Sequence, residues 1–337
     1  TEPVEAETQF TGLTVDFSVP ELTKTSGDVP SYVKAGESLT IEGRYSDTYG
    51  IQAINAVAKL NGTTVESAKS GYTFTDTRAD DGKSGTFTIT LAANDSNNGT
   101  WTFDVTVTDS AGRATSLETY STLVDTVKPE WKEDDTNYPF LVNKVAFVSG
   151  ENHSWYKAAT LPFSGAYLES GSGIAEVKYS VVQAGSNETP TYSEQFLTTK
   201  HDGGIESFSQ NLGEFIAKIE NNAAVANKIY FKAIDNAGNE SEEKVFDIYI
   251  DADAPTLAST TSGTTVSNKK NDITVTGDCD DDASGVKSIT LAVIKSDTKV
   301  QLGNDVSATV ENKAWTATIP KERGPRGART GSSSWMR

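Results

Sequence analysis

The chain has one cysteine, Cys279, which excludes an internal disulfide and any metal site built from several thiolates. Histidine is nearly as scarce. His153 and His201 are the only two, and neither lies near a Gly-x-Ser-x-Gly elbow. Phosphate-cradling glycine loops and a His-Glu-x-x-His pair are missing too, so no familiar catalytic set can be assembled. Basic charge is short: 29 Lys+Arg against 47 Asp+Glu leave a net −18, which argues against a nucleic-acid partner, since phosphates need a basic footprint. No apolar run approaches the ~20 residues of a membrane-spanning helix. The only methionine is Met336 and no signal peptide opens the chain, which therefore reads as a processed or excerpted polypeptide. An acidic chain without disulfides fits a bacterial surface or periplasmic protein better than a secreted eukaryotic module.

What is present repeats. Val15-Asp16-Phe17-Ser18-Val19-Pro20 returns as Val124-Asp125-Thr126-Val127-Lys128-Pro129 and as Ile250-Asp251-Ala252-Asp253-Ala254-Pro255. Each copy is a β-branched residue, an Asp, three variable residues and a Pro, which removes a backbone donor and suits a module boundary. The prolines lie about 110 and about 125 residues apart, one ordinary domain each. The implied divisions are a leader or last strand of a preceding module at 1–19, modules at 20–128 and 129–254, a partial module at 255–320, and a basic tail at 321–337 that reads as foreign to the fold.

Within the modules, short runs rich in Thr, Val and Ile alternate polar and apolar residues, as in Ser38 to Ile41, Ala53 to Leu60, Thr86 to Leu91 and Trp101 to Thr108. Asn61-Gly62 and Asn97-Asn98-Gly99 separate such runs, and Asn-Gly is a strong hairpin signal. The fold class is all-β, with a sandwich as the leading architecture for modules of this size. One helix-compatible stretch runs from Leu212 to Ala226. Asp109-Ser110-Ala111-Gly112-Arg113 aligns with Asp235-Asn236-Ala237-Gly238-Asn239, and in such a turn the Asp caps backbone donors while the Gly takes a positive φ. Gly50, Gly173 and Gly285 start equivalent strands, which places Asp280 opposite Tyr45, and Ala314–Ile319 matches Gly85–Thr90.

These features together resemble the bacterial Ig-like repeat domains of surface and adhesin proteins, over roughly residues 20 to 320. The carriers are the Gly-Ile/Val strand start, the aromatic-Thr-x-Thr-Ile strand, the Asp-x-Ala-Gly turn and the closing Asp-x-x-x-Pro. The resemblance implies tandem immunoglobulin-like β-sandwiches, the third incomplete, in an extracellular or cell-surface location. It implies a spacer or adhesive role without catalytic residues, with neighbouring modules and a host or cell-surface protein or glycan as partners. The chain departs from the pattern in its interrupted third module and its enlarged second one.

Two site readings compete with a plain scaffold. The first is calcium. Asp278, Asp280 and Asp282 offer oxygens at alternate positions, like the start of an EF-hand loop, but Ala283 stands in place of the required Gly and Ile289 in place of the bidentate Glu. Asp235, Asp251 and Asp253 form a second candidate at a junction, with Asp109 and Asp125 one module earlier. The competing view makes all of these turn caps and solvated surface. The second reading is a ligand surface. Pro129 to Gly173 is about 14 residues longer than the same interval in the other modules, and enlarged loops on rigid scaffolds carry binding. That region holds Trp131, His153, Trp155 and Tyr156 as candidate contacts for a sugar or protein, with Phe140 and Phe147 as core.

Overall fold

The computed structural model describes residues 12, 14–132, 136–148, 154–157, 161–192, 194–196, 200–202, 204–211, 225–261, 271–295 and 297–321. Period-two alternation becomes strand throughout. Ser38–Ser46 buries every second residue (Leu39, Ile41, Gly43, Tyr45), and Gly99–Asp109 does the same from Trp101 to Asp109.

The first module consists of β1 (Glu21–Lys24), β2 (Tyr32–Lys34), β3 (Ser38–Ser46), β4 (Ile51–Leu60), β5 (Thr63–Val65), β6 (Tyr72–Arg78), β7 (Ser84–Ala92), β8 (Gly99–Asp109), β9 (Ala114–Ser116) and β10 (Tyr120–Asp125). One sheet runs β1-β3-β7-β6; the other runs β2-β10-β8-β4-β5, with β9 added beside β8. Side chains from both inner faces, among them Ile41, Phe87, Ile89, Trp101, Phe103 and Val105, form one core layer between the sheets. Asn61 and Gly62 both take positive φ (48° and 81°), so the predicted β4–β5 hairpin closes on a primed turn matched to strand twist. Asn97-Asn98-Gly99 instead joins strands of different sheets, through a 3₁₀ turn capped by Asn94.

The second module repeats this plan with β11 (Glu130–Trp131), β12 (Leu141–Val142), β13 (Val145–Ala146), β14 (Trp155–Tyr156), β15 (Pro162–Leu168), β16 (Ile174–Val182), β17 (Glu194–Phe196), β18 (Lys200–Asp202), β19 (Ile205–Asn211), β20 (Asn227–Asp235) and β21 (Lys244–Ile250). Its sheets run β13-β12-β15-β19-β18, with β11 also on β15, and β14-β21-β20-β16-β17. The extra residues between β11 and β14 include the β12–β13 hairpin, which extends the first of these sheets. The stretch from Leu212 to Ala226, expected as a helix, lies almost wholly outside the described residues.

The third module contributes β22 (Thr256–Ser259), β23 (Ile273–Asp280), β24 (Thr290–Leu291), β25 (Val306–Ser307), β26 (Thr309–Glu311) and β27 (Ala314–Ile319). Pairing corrects the sequence alignment here by one residue. Trp315 faces Gly277 as Phe87 faces Gly43, so Trp315 corresponds to Phe87 and not to Thr86. Asp280 likewise corresponds to Ser46, since β22 and β1 pair with them in the same way. A one-residue slip turns every side chain to the other face, so burial of Trp315 and Phe87 fixes the register. Cys279 is buried in this small core.

Among the described residues, no helix is long and apolar enough to cross a membrane.

Candidate functional site at the module junctions

The Asp-x-Ala-Gly turn behaves as its residues dictate. Asp109 Oδ1 accepts the Ala111 and Arg113 N–H groups (2.8 and 2.9 Å), and Gly112 sits at φ 85°. In the second copy, Asp235 Oδ1 accepts Gly238 and Asn239 N–H (2.7 and 2.8 Å), and Gly238 sits at φ 94°. Both aspartates are almost completely buried.

These turns do not meet the carboxylates that the sequence suggested. Asp235 does not converge with Asp251 and Asp253, and Asp109 does not join Asp125. Asp109 clusters with Asp16 and Asp47, while Asp235 clusters with Asp125 and Glu169; within each trio one oxygen per residue lies within 4.8 Å of the others. The reason is topological. The turn sits at the pole where its module begins, so it meets the closing Asp of the preceding segment. The closing Asp of its own module lies a strand-length away, at the far end.

In the first cluster, Asp47 Oδ1 caps Tyr49 and Gly50 N–H (2.8 and 3.0 Å), and Ser18 Oγ reaches Asp47 Oδ2 at 3.5 Å. The Arg113 guanidinium pairs with both remaining carboxylates, through Nη2 with Asp16 and through Nε with Asp109 at 3.1 Å. The Ser18 hydroxyl, followed by Arg113, holds the Asp16 carboxyl below its ordinary value, against partial desolvation.

In the second cluster, Asp125 Oδ2 accepts Ser172 N–H at 2.6 Å, and a Cβ on Gly171 would run into that carboxylate. Asp125 thus belongs to the first module but docks on the β15–β16 turn of the second. Asn239 stands where Arg113 stood. Its Nδ2 donates to Asp235 Oδ2 (2.8 Å) and to the Asp125 carbonyl (2.9 Å). Glu169 Oε1 accepts Gly171 N–H, whereas Glu169 Oε2 is buried without a hydrogen-bond partner. Burial pushes the Glu169 carboxyl up to about 7, the Gly171 N–H opposing and the charges of Asp125, Asp235 and Glu206 adding to it. Burial also raises Asp235.

A third, partial counterpart exists. Asp251 Oδ2 accepts Ser284 N–H at 3.1 Å, and Asp281 Oδ1 caps Ala283 and Gly285 N–H (3.2 and 2.7 Å) as Asp47 caps its own turn. Asp253 lies beside Asp251 and donates its N–H to Asp251 Oδ1. Asp278 and Asp280 do not open a loop. They are strand residues of β23 flanking the inward Cys279, and Asp280 pairs with Lys313 at 2.7 Å. Asp282 is exposed in the turn that follows.

The aromatic candidates are redirected as well. The Trp131 ring lies inside the second module, 5.2–5.8 Å from the rings of Phe140, Tyr167, Phe208, Phe231 and Phe246, so it is core and not a ligand platform. Phe140 is core too and Phe147 packs against it, as expected. Tyr156 is 7% exposed, and Trp155 is half-buried with its ring 5.6 Å from Tyr249. His153 lies outside the described residues. Trp155 and Tyr156 form β14, paired in parallel with β21, as β2 pairs in parallel with β10. Tyr156 opposite Ile250 is thus the counterpart of Val33 opposite Val124.

Sequence reasoning missed Asp16, Asp47 and Glu169. Spacing held the signal: Asp47, Glu169 and Asp281 each lie three or four residues before the aligned Gly50, Gly173 and Gly285.

The paired sheets and, in the first two modules, the Asp-capped turn at the leading pole and the parallel contact of an early strand with the last define tandem Ig-like β-sandwiches. The chain belongs to the bacterial Ig-like domain family, whose model matches residues 23–126, 130–252 and 254–336. No curated protein matches it. Solved structures match at low identity and low TM-score. The fibronectin(III)-like modules of Clostridium thermocellum CbhA match at 14% identity over 68% of this chain and 94% of theirs, with a TM-score of 0.31. The D00–D0 domains of intimin match at 10% over 67% and 98%, with a TM-score of 0.29. The ICAM-5 D1–D4 ectodomain fragment matches at 10% over 89% and 75%, with a TM-score of 0.38.

Proposed function

We propose that this chain is a non-catalytic, load-bearing segment of a bacterial surface protein, a stalk that holds adhesive contacts to a host protein or glycan away from the cell. One observation carries the reading. In the first two modules an early strand and the last strand are neighbours in parallel, β2 with β10 and β14 with β21. Tension on the chain ends drags two such strands in opposite directions along their length. All the bonds of the pair then bear load together, where an antiparallel hairpin pulled from its open end would unzip bond by bond. Family membership and a net charge of −18 support a solvated outer location.

The test is exposure on the cell. Antibodies against the folded chain should label intact cells of the source bacterium, and mild protease treatment should strip the signal. Labelling that requires lysis of every compartment would sink the surface reading.

A further inference from the structure

We propose that the first module binds an acidic saccharide on the outer face of its β1-β3-β7-β6 sheet, with Arg44 taking the sugar's carboxylate. Alternation turns Arg44 outward between the buried Gly43 and Tyr45. Pairing sets it in one row with Thr23 on β1, Thr86 on β7 and Thr77 on β6. Glu21 and Ser46 form the next row on the same face. These residues line a depression of about 620 Å³. Among the described residues nothing pairs with the Arg44 guanidinium. Arg78, which also lines the depression, is by contrast held by Asp76 at 3.7 Å and by the Ile51 carbonyl at 2.9 Å.

The chemistry of these rows selects the ligand. A guanidinium offers a planar fork of donors that fits a carboxylate, in a charge-assisted pair about twice as strong as a neutral hydrogen bond. Glu21 in the next row and Glu42, two residues before Arg44 on the same face, oppose a plain inorganic anion by repulsion. They also accept hydrogen bonds, as do the Thr and Ser hydroxyls. A sugar acid answers both needs, with one carboxylate for Arg44 and a ring of hydroxyl donors for the acceptors. The other modules supply the comparison. Leu22, Trp131 and Leu257, each two residues after an opening Pro, face Tyr45, Tyr167 and Cys279, and the residues just before these are Arg44, Ala166 and Asp278. The third module keeps a depression of about 360 Å³ there, but Ala258 and Ala314 stand where the first has Thr23 and Thr86. The hollow thus belongs to the fold, and the arginine and hydroxyls belong to the first module. This binding is separable from the load-bearing reading, since a chain can bind the sugar and carry no load.

The test is saturation-transfer NMR of the full chain, titrated with a glucuronate-containing tetrasaccharide, with its methyl ester, and with a neutral tetrasaccharide carrying one O-sulfate. The wild type should bind the acid saturably, with a dissociation constant of about 1 mM or tighter. The ester, which lacks the charge, should bind at least about tenfold more weakly. Arg44→Ala should weaken binding of the acid by about 10- to 100-fold. Arg44→Lys, which keeps the charge and loses the fork, should weaken it less. Thr86→Val, which keeps the shape and loses the hydroxyl, should weaken it by a few-fold at most. Arg44 and Thr86 are exposed, so all three variants should unfold at the wild-type midpoint. Undiminished binding by Arg44→Ala, or equal binding of acid and ester, overturns the proposal. Equal binding of the sulfated sugar overturns the carboxylate as the group recognised. Absence of saturable binding of the acid up to about 10 mM overturns the site itself.

Discussion

Phe231→Ala should strongly destabilise the second module while leaving the first intact. Phe231 is fully buried, and six rings surround it: Trp131, Phe140, Phe163, Tyr179, Phe208 and Phe246, with centroids 5.0–6.4 Å away. Truncation removes transfer free energy and leaves a cavity whose rigid aromatic walls collapse poorly, a loss of about 3–5 kcal/mol. A domain holds about 5–15 kcal/mol in total, so the second module's midpoint should fall by about 10–20 °C. The cores of the modules are separate clusters, so the first module's transition should stay in place. Calorimetry of the full chain reads both. A single transition that moves as a whole would show the modules to be one cooperative unit.

Gly43→Ala should damage the first module almost as severely. Gly43 lies in the middle of β3, where an added Cβ would overlap the Phe87 ring and approach the Thr23 carbonyl of β1. Neither neighbour is a flexible side-chain end. Phe87 is itself buried, and the carbonyl belongs to a paired strand. The expected loss is about 3 kcal/mol, the upper end of overpacking, with the glycine's entropic gain too small to offset it. Urea unfolding of the full chain, followed by the fluorescence of the buried Trp101, checks this. Gly277 repeats the arrangement under Trp315, so Gly277→Ala should act alike on the third module. Unchanged stability in both variants would mean that the ring and glycine do not pack as described.

Much of this fold could be read from the sequence because it repeats. The Asp-x-Ala-Gly turns, the closing Asp-x-x-x-Pro and the alternating strands are local signals, and each reappears in space with the capping bonds and positive φ that its residues require. What failed was non-local. Asp235 closes β20 and Asp251 follows the antiparallel β21, so a strand of about 20 Å separates them, whereas Asp125 reaches Asp235 from the other module. Linear proximity therefore chose the wrong partners. Glu169 was invisible among so many acids until pairing placed it beside them.

The aromatic insertion misled for a similar reason. Composition distinguishes an exposed ring from a buried one poorly, and Trp131 and Tyr156 are rings of the kind a thin sandwich needs to fill its interior. Matching Ala314–Ile319 to Gly85–Thr90 set Trp315 opposite Thr86, when its true counterpart is the other aromatic, Phe87. The correct register also aligns Thr316 and Thr318 with Thr88 and Thr90. Position 239 carried more information than any motif. The exchange of Arg113 for Asn239 within an otherwise matching turn separates a joint with its own cation from one without.

The central claim is that the first two modules resist tension through the parallel pairing of an early strand with the last, β2 with β10 and β14 with β21. Its most direct test is single-molecule pulling of the full chain by its two ends, for the wild type and for Leu123→Pro. Leu123 donates its N–H to the Ser31 carbonyl at 2.9 Å, within the β2–β10 contact, and proline removes that donor. The wild type should give abrupt unfolding events, including increments of about 350 Å and about 400 Å for the first and second modules. In Leu123→Pro the smaller of these two should rupture at clearly lower force, with the larger unchanged. Gradual extension of the wild type without discrete events, or equal rupture forces in the two proteins, would contradict the account.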